Sequence, residues 1–341
     1  MLGWQRMLSL RRQGLYCEAG DFYLDPKGAV DHAVVTHAHS DHARRGARRY
    51  YSARSGVGLV RARLGARIAI EEYDFGDSFL IGPVRISFHP AGHILGSAQV
   101  RLEYGGEVWV VSGDYKRESD PTCEPFESVP CDVFVTEATF GTPSYVWGDR
   151  GDVGKEIFDW WEANRAAGRN SVLCAYSLGK TQRVLGLLRK FTDRAAWLDP
   201  AATLITDCYR REGISLLPTR CLSSLGARAR LEGELVIAPS SILGGPFATR
   251  LGDFESAFAS GWMADGAFGR GSAYDRGFTL SDHADWPALL RTVEESGARR
   301  VYVQHRGNGA LVRALRARGL EAFPEAELAK SKPPQLSLFG A

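Results

Sequence analysis

Thr36-His37-Ala38-His39-Ser40-Asp41-His42 closes the apolar run Ala33-Val34-Val35, and its reading decides how the rest of the chain is understood. A β-branched run that ends in a polar cluster is the pattern of a buried strand feeding a loop. Three of the eight histidines in the 341 residues lie in this one segment. Imidazole and carboxylate together are ligands for zinc, manganese or iron. His37 and His39 stand two apart and project to one side if the strand geometry persists. Asp41 and His42 are adjacent and cannot share that face. The simplest arrangement is two neighbouring ions, one held by His37 and His39, the other by Asp41 and His42.

The chain is longer than the usual single domain, so two domains are expected, with ample apolar residues for a large core. No apolar run approaches the roughly 20 residues of a membrane span. The start, MLGWQRMLSLRRQG, carries no signal-peptide core or cleavage site. Cys17, Cys123, Cys131, Cys174, Cys208 and Cys221 include no Cys-x-x-Cys pair, which argues against a thiolate zinc site and for buried thiols in a reducing cytoplasm. A net charge of +2 says little about nucleic acid. Local charge says more: Arg44, Arg45, Arg48, Arg49 and Arg54 follow the histidine loop directly, and Arg61, Arg63 and Arg67 come soon after. Such residues contact phosphates or make a solvated helix face.

The pattern HAHSDH resembles the signature of the metallo-β-lactamase superfamily. Further motifs then fall into place. Phe22-Tyr23-Leu24 reads as a short strand ending at Asp25-Pro26, and the resemblance implies that Asp25 supports the histidine loop without binding metal. Segments 67–71, 84–89, 98–104 and 107–112 read as strands, with Gly105-Gly106 as a hairpin turn. Pro90-Ala91-Gly92-His93-Ile94-Leu95-Gly96-Ser97 sets His93 among glycines, which let backbone approach a bound ion closely. Val110-Val111-Ser112-Gly113-Asp114-Tyr115 places Asp114 just after a strand. By resemblance His93 completes the first metal site and Asp114 bridges both ions. His32 and His89 match no motif and read as structural.

Val133-Phe134-Val135-Thr136-Glu137-Ala138-Thr139-Phe140-Gly141 is similar to the first motif of the β-CASP branch, the nucleases of that superfamily. Leu280-Ser281-Asp282-His283-Ala284-Asp285 and Val301-Tyr302-Val303-Gln304-His305-Arg306-Gly307 resemble the second and third. The resemblance implies an α/β protein: a four-layered αββα sandwich with an inserted α/β β-CASP cap and the active site in the cleft between them. The sandwich would take residues 1–142 and 271–329, and the cap 143–270. It implies two divalent ions, zinc or manganese. One is held by His37, His39, His93 and Asp114, the other by Asp41, His42, Asp114 and His305. Catalysis falls to His283, Glu137 and Asp41, with His283 protonating the leaving oxygen or binding the scissile phosphate and Glu137 orienting it.

Within the insert, 153–168 reads as a helix and Ser171 to Tyr176 as a strand. Ser177-Leu178-Gly179-Lys180-Thr181-Gln182-Arg183 then opens a helix. A strand, a glycine turn and a helix bearing lysine resemble a phosphate-binding loop, although this is no Walker motif. Ser177, Lys180 and Arg183 are therefore expected at the nucleic-acid backbone. Segments 203–206 and 234–238 read as further strands, and the loop Pro239 to Gly245 as another place to meet phosphate.

The sequence is also similar to the compact bacterial ligase-associated DNA exonucleases. That implies end processing or repair of DNA in functional association with a DNA ligase. His305 points the other way, to an RNA-processing β-CASP ribonuclease, because many DNA-specific members lack a histidine there. The tail favours DNA. Residues 330–341 form an extended linker carrying Gln335-Leu336-Ser337-Leu338-Phe339, which resembles the bacterial sliding-clamp-binding pentapeptide, with Gln335, Leu336, Leu338 and Phe339 as its contacts. A small-molecule hydrolase of the superfamily and a metal-free nucleic-acid scaffold are the remaining alternatives. The inserted domain counts against the first and the intact ligand set against the second.

Overall fold

The structure, a computed structural model, describes residues 6–148, 151–226, 229–245, 247–265, 273–304 and 309–329. Its chain divides into two compact units. The first takes the described residues of 1–119, 123–144 and 283–341; the second takes Asp120–Thr122 and those of 145–282.

The first unit begins with a six-stranded sheet in chain order: β1 Leu8–Arg11, β2 Gly14–Cys17, β3 Phe22–Leu24, β4 Val30–Val34, β5 Ala47–Ala53 and β6 Ile70–Tyr73. Strands β3 to β6 run parallel. Helix α1, Val57–Leu64, follows β5 and buries Val57, Leu59, Val60 and Leu64. A second sheet opens with β7 Ser78–Ile81, β8 Val84–Pro90, β9 Ala98–Tyr104, β10 Glu107–Val111 and β11 Val133–Thr136. The strand expected at 67–71 lies slightly later, as β6; those at 84–89, 98–104 and 107–112 are β8, β9 and β10.

The second unit holds α2 Val153–Ala166, β12 Asn170–Cys174, α3 Lys180–Leu188, β13 Ala196–Leu198, α4 Pro200–Arg211, β14 Thr219–Cys221, β15 Leu235–Ala238, β16 Phe254–Ala259 and β17 Arg276–Phe278. Its six strands make a parallel sheet of order β14-β13-β15-β12-β16-β17. Residues 203–206, expected as a strand, are the middle of α4. The Asp199 carboxylate accepts from the Ala201 and Ala202 amides, and Pro200 fills the first turn. That start signal outweighs the short run Leu204-Ile205. The unit ends at Asp282 rather than at the expected 270, because β17 pairs with β16 and belongs to its sheet.

The chain re-enters the first unit with α5 Trp286–Glu295, β18 Arg300–Val303, α6 Ala310–Arg316 and β19 Glu321–Pro324. These strands complete a seven-stranded sheet of order β19-β18-β11-β10-β9-β8-β7. Alternation decides what each face meets. Trp109, Val111, Val133, Val135, Tyr302 and Phe323 pack with Leu15, Phe22, Leu24 and Val34 in a core between the two sheets. Val110, Phe134, Val301 and Ala322 point the other way, onto Leu289 and Val293 of α5 and Leu311 and Leu315 of α6. Strands buried on both faces read as continuous apolar runs, as β10, β11 and β18 do.

Pairing directions fix where the functional loops emerge. Strands β9 and β8 are each antiparallel to their neighbour, whereas β10, β11 and β18 are mutually parallel. Strands β8, β10, β11 and β18 therefore share one direction, and the loops after them leave the same edge of the sheet.

Candidate metal centre

His93, Asp114 and Glu137 follow β8, β10 and β11 on that shared edge, and Thr36 to His42 follow β4. The Ala98 amide bonds the Thr36 carbonyl at 2.8 Å, which brings the histidine loop to the second sheet. Gly113 adopts φ +55° against the Thr36 side chain, where a Cβ would stand 2.8 Å from Thr36 Cβ. The His93 loop is pinned by Ser97, whose Oγ accepts from the His93 amide at 3.0 Å and the Ile94 amide at 3.2 Å. Gly92 packs on backbone: at its φ of +71° a Cβ would stand only 2.4 Å from the Lys116 carbonyl oxygen.

Three imidazoles converge here. His37 Nε2 lies 3.1 Å and His93 Nε2 3.0 Å from His39 Nδ1. Asp114 Oδ2 is 3.5 Å from His37 Nε2 and 3.8 Å from His93 Nε2. His37, His93 and Asp114 are buried. These four residues form a group whose donor atoms are close enough to hold one metal ion. Two observations fit a cation there. Nitrogen pairs this close share at most one proton each, and ligands with bonds of about 2.0–2.1 Å to a single ion stand only about 3.3 Å apart. Asp114 Oδ1 is buried with no hydrogen-bond partner among the described residues, and an orphaned carboxylate oxygen is costly unless something cationic meets it.

The electrostatics agree with that donor set. Burial, reinforced by the charge of His42, lowers the His37 pKa well below its ordinary value and keeps the ring neutral, as a ligand must be. Burial alone would raise the Asp114 pKa, but His42 and then His283 drive it well below the usual range. Burial likewise opposes a charge on His42, yet Asp114 and Asp25 on its two sides raise it well above the ordinary histidine value.

His42 lies next to this group. Its Nε2 faces Asp114 Oδ2 at 3.5 Å and Asp41 Oδ2 at 3.7 Å, with the Asp41 side chain 63% exposed. Its Nδ1 meets Asp25 Oδ2 at 2.7 Å. Asp25 also accepts from the Thr36 amide at 2.8 Å and the Thr36 hydroxyl at 2.6 Å, so one carboxylate fixes both the loop backbone and the imidazole. Asp25 does so from φ +43°. His305, expected as a ligand here, lies outside the described residues.

Glu137 and His283 meet beside the first group. His283 Nδ1 lies 3.0 Å and 3.2 Å from the two Glu137 oxygens. Glu137, fully buried, also accepts from the Tyr115 amide at 2.7 Å and the Thr139 hydroxyl at 2.6 Å. The His283 ring stands 4.7 Å from that of His93. Sequence reasoning did not foresee that Asp114, Glu137 and His283 would form a second group close enough for a metal. No local spacing signals it, since each residue comes from a different motif.

His32 and His89 stay away from the centre. His32 Nδ1 meets the Tyr51 hydroxyl at 2.9 Å, and His89 bridges Ser87 and Glu127.

Lys180 and Arg183, expected at the nucleic-acid backbone, instead meet carboxylates and carbonyls of their own unit. Lys180 Nζ pairs with Asp282 Oδ2 at 2.9 Å and donates to the Leu280 carbonyl at 2.5 Å. Arg183 pairs with Asp282 Oδ1 at 3.3 Å and Asp120 Oδ2 at 3.5 Å, and donates to the Ser281 carbonyl. Their charge is spent on the chain's own carboxylates and is not presented to phosphate. Ser177 is partly exposed, 3.5 Å from Asp199 Oδ1. Gln335, Leu336, Leu338 and Phe339 lie outside the described residues. Among the described residues no helix is long and apolar enough to cross a membrane.

No protein-family model matches the chain. The chain is 34% identical over 332 residues, 95% of its length, to a protein of Opitutus terrae named "Probable DNA ligase", of which the match covers 32%. It is 30% identical over 130 residues to "Endoribonuclease YSH1" of Gibberella zeae. It is 28% identical over 130 residues to "Endoribonuclease ysh-1" of Neurospora crassa. Each endoribonuclease match covers 37% of this chain and 15% of the relative. The chain thus spans about a third of the length of the first relative and less of the others.

Proposed function

We propose that the chain is a metal-dependent nuclease of the β-CASP branch of the metallo-β-lactamase superfamily, and that its substrate is DNA. The observation that carries this reading is the convergence of His37, His39, His93 and Asp114, with a buried carboxylate oxygen left over. His37, His39, His93 and Asp114 would hold one divalent ion, and Asp41, His42, Asp114 and His305 a second. Zinc or manganese there supplies Lewis-acid polarisation of a phosphoryl oxygen and makes water a stronger acid.

The chain's own residues do the rest. Glu137, fixed by the Tyr115 amide and the Thr139 hydroxyl, accepts the Nδ1 proton of His283. That bond sets the ring's tautomer and orientation. His283 Nε2 is then the nitrogen that gives a proton to the leaving oxygen of the phosphodiester. Asp25, through Thr36 and His42, keeps the histidine loop in its folded path.

DNA is favoured because the likeness to a protein named as a DNA ligase runs through nearly the whole chain. The activity fits a DNA exonuclease in end processing or repair, working with a ligase. A second reading, an RNA-processing nuclease, draws on the shorter likeness to proteins named endoribonucleases. Purified protein incubated with end-labelled DNA and RNA, single- and double-stranded, across zinc, manganese and magnesium separates the two. Stepwise loss from DNA ends supports the first, cleavage of RNA alone supports the second, and turnover of neither overturns the nuclease reading. The tail belongs to the same proposal. Titration of a bacterial sliding clamp should show binding that a Leu338→Ala, Phe339→Ala variant loses, and no binding by the wild type removes the clamp.

A further inference from the structure

The eight arginines between Arg44 and Arg67 part into groups that the sequence does not distinguish. Arg48 reaches Asp31 at 3.3 Å, Arg49 reaches Glu71 at 2.9 Å, and Arg54 reaches Asp74 at 2.7 Å and Glu72 at 3.1 Å. Arg63 is half-buried, and its Nε donates to the carbonyl of Ala38, between His37 and His39. Arg44, Arg45, Arg61 and Arg67 are exposed, and none has an ion-pair partner among the described residues.

The segments that carry these four meet in space. The Arg45 guanidinium lies over Gly65, 3.6 Å from where a Cβ would stand. Gly65 closes α1 by donating to the Arg61 carbonyl at 2.8 Å, and Arg67 follows two residues later. The loop bearing Arg44 and Arg45 continues directly from the turn in which the His42 and Ala43 amides bond the His39 carbonyl. Arg63 ties the same end of α1 to the histidine loop. The segments carrying four like charges thus adjoin the histidine loop, while Asp31, Glu71, Glu72 and Asp74 are committed to other arginines and Asp41 faces His42. Such a set repels itself in water and is relieved by a polyanion.

We propose that Arg44, Arg45, Arg61 and Arg67 form the track that holds the polynucleotide backbone next to the metal centre, contacting phosphates beyond the scissile one. This rests on the nuclease reading. Phosphate contacts position a strand without reading its sequence, so the track serves binding and register rather than specificity.

The test measures binding of a fluorescent 20-nucleotide single-stranded DNA from 50 to 300 mM NaCl, in a chelator so that nothing is cut. Hydrolysis with manganese is measured in parallel. The variants are R44Q/R45Q, R61Q/R67Q and, as a control on exposed but paired arginines, R48Q/R49Q. Each of the first two should lower the slope of log affinity against log salt by about 1.4, at roughly 0.7 per phosphate lost on a single strand. The control should keep the wild-type slope. Unchanged slopes in both track variants, with the wild type still hydrolysing DNA, overturn the track alone. A wild type that neither binds nor hydrolyses polynucleotide overturns the nuclease reading and the track with it. Equal loss in the control overturns the distinction between paired and unpaired arginines on which the track stands.

Discussion

Two buried polar clusters in this molecule are built to opposite rules. In the second unit, Lys180 and Arg183 face Asp120 and Asp282, two formal positive charges against two negative. In the first unit, the rings of His37, His39 and His93 crowd together beside Asp114, one of whose oxygens has no partner among the described residues. The first cluster pairs each cation with a carboxylate and donates to the carbonyls of Leu280 and Ser281. The second leaves a buried carboxylate oxygen over. A self-neutral buried cluster acts as scaffolding, because nothing is gained by admitting an ion. A cluster with surplus donors is a receptor, because only a cation cancels the cost of burying them.

The sharpest way to break this contrast is to withdraw the cation. Thorough chelation, or His39→Ala, should take hydrolysis to background, and metal analysis should fall from about two ions per chain. Added zinc or manganese should stabilise the wild type by roughly 2.7 kcal/mol at a hundredfold excess over the dissociation constant, and so raise its thermal midpoint. Full activity in chelated protein would show that the Asp114 group is no receptor.

The next effect is kinetic. His283→Ala should reduce turnover by roughly 10²–10⁴-fold, the scale of a general acid, with metal content unchanged. Loss of metal instead would make Asp114, Glu137 and His283 a ligand group.

Lys180→Ala probes the other cluster. It leaves Asp282 short of a partner in a buried place, which should cost roughly 3–5 kcal/mol of stability in denaturant titrations. The midpoint rise on adding metal and the salt slope of DNA binding should both persist. A shallower slope with unchanged stability would return Lys180 to the phosphate backbone.

The smallest effect concerns the support of the histidine loop. Asp25→Asn keeps a residue that tolerates the positive φ but removes the charge facing His42. Metal affinity, read by competition with a chromophoric chelator, should fall by roughly 10–100-fold. Unchanged affinity would mean that Asp25 shapes the loop and leaves the ion alone.

Much of the first unit was legible because its signals are local. The apolar runs that become β4, β10, β11 and β18 each end in a polar residue with metal-ligand chemistry. Burial on both faces forces such runs to be apolar throughout, and the chain can turn to polar residues only where the strand leaves the sheet. That is why Asp114 and Glu137 stood out before any coordinates, whereas His93 follows β8, a strand with exposed Arg85, and stood out by its likeness to a known motif. The helix over 203–206 was less legible, since four residues of Thr-Leu-Ile-Thr carry no decisive period and the cap at Asp199 settles the matter.

What the sequence determined by itself was the identity of the candidate ligand side chains and the strands that deliver them, because strand periodicity and side-chain chemistry act over a few residues. What only the tertiary structure decided was the fate of each charge. Lys180 and Arg183 look like a phosphate loop, yet they meet Asp282 about a hundred residues away. Arg49 and Arg45 look alike, yet one finds Glu71 and the other lies over Gly65 with no ion-pair partner among the described residues. The strength of an ionic group depends on what shares its surroundings and on how much water is left there. Both are set by which distant segments the fold brings alongside.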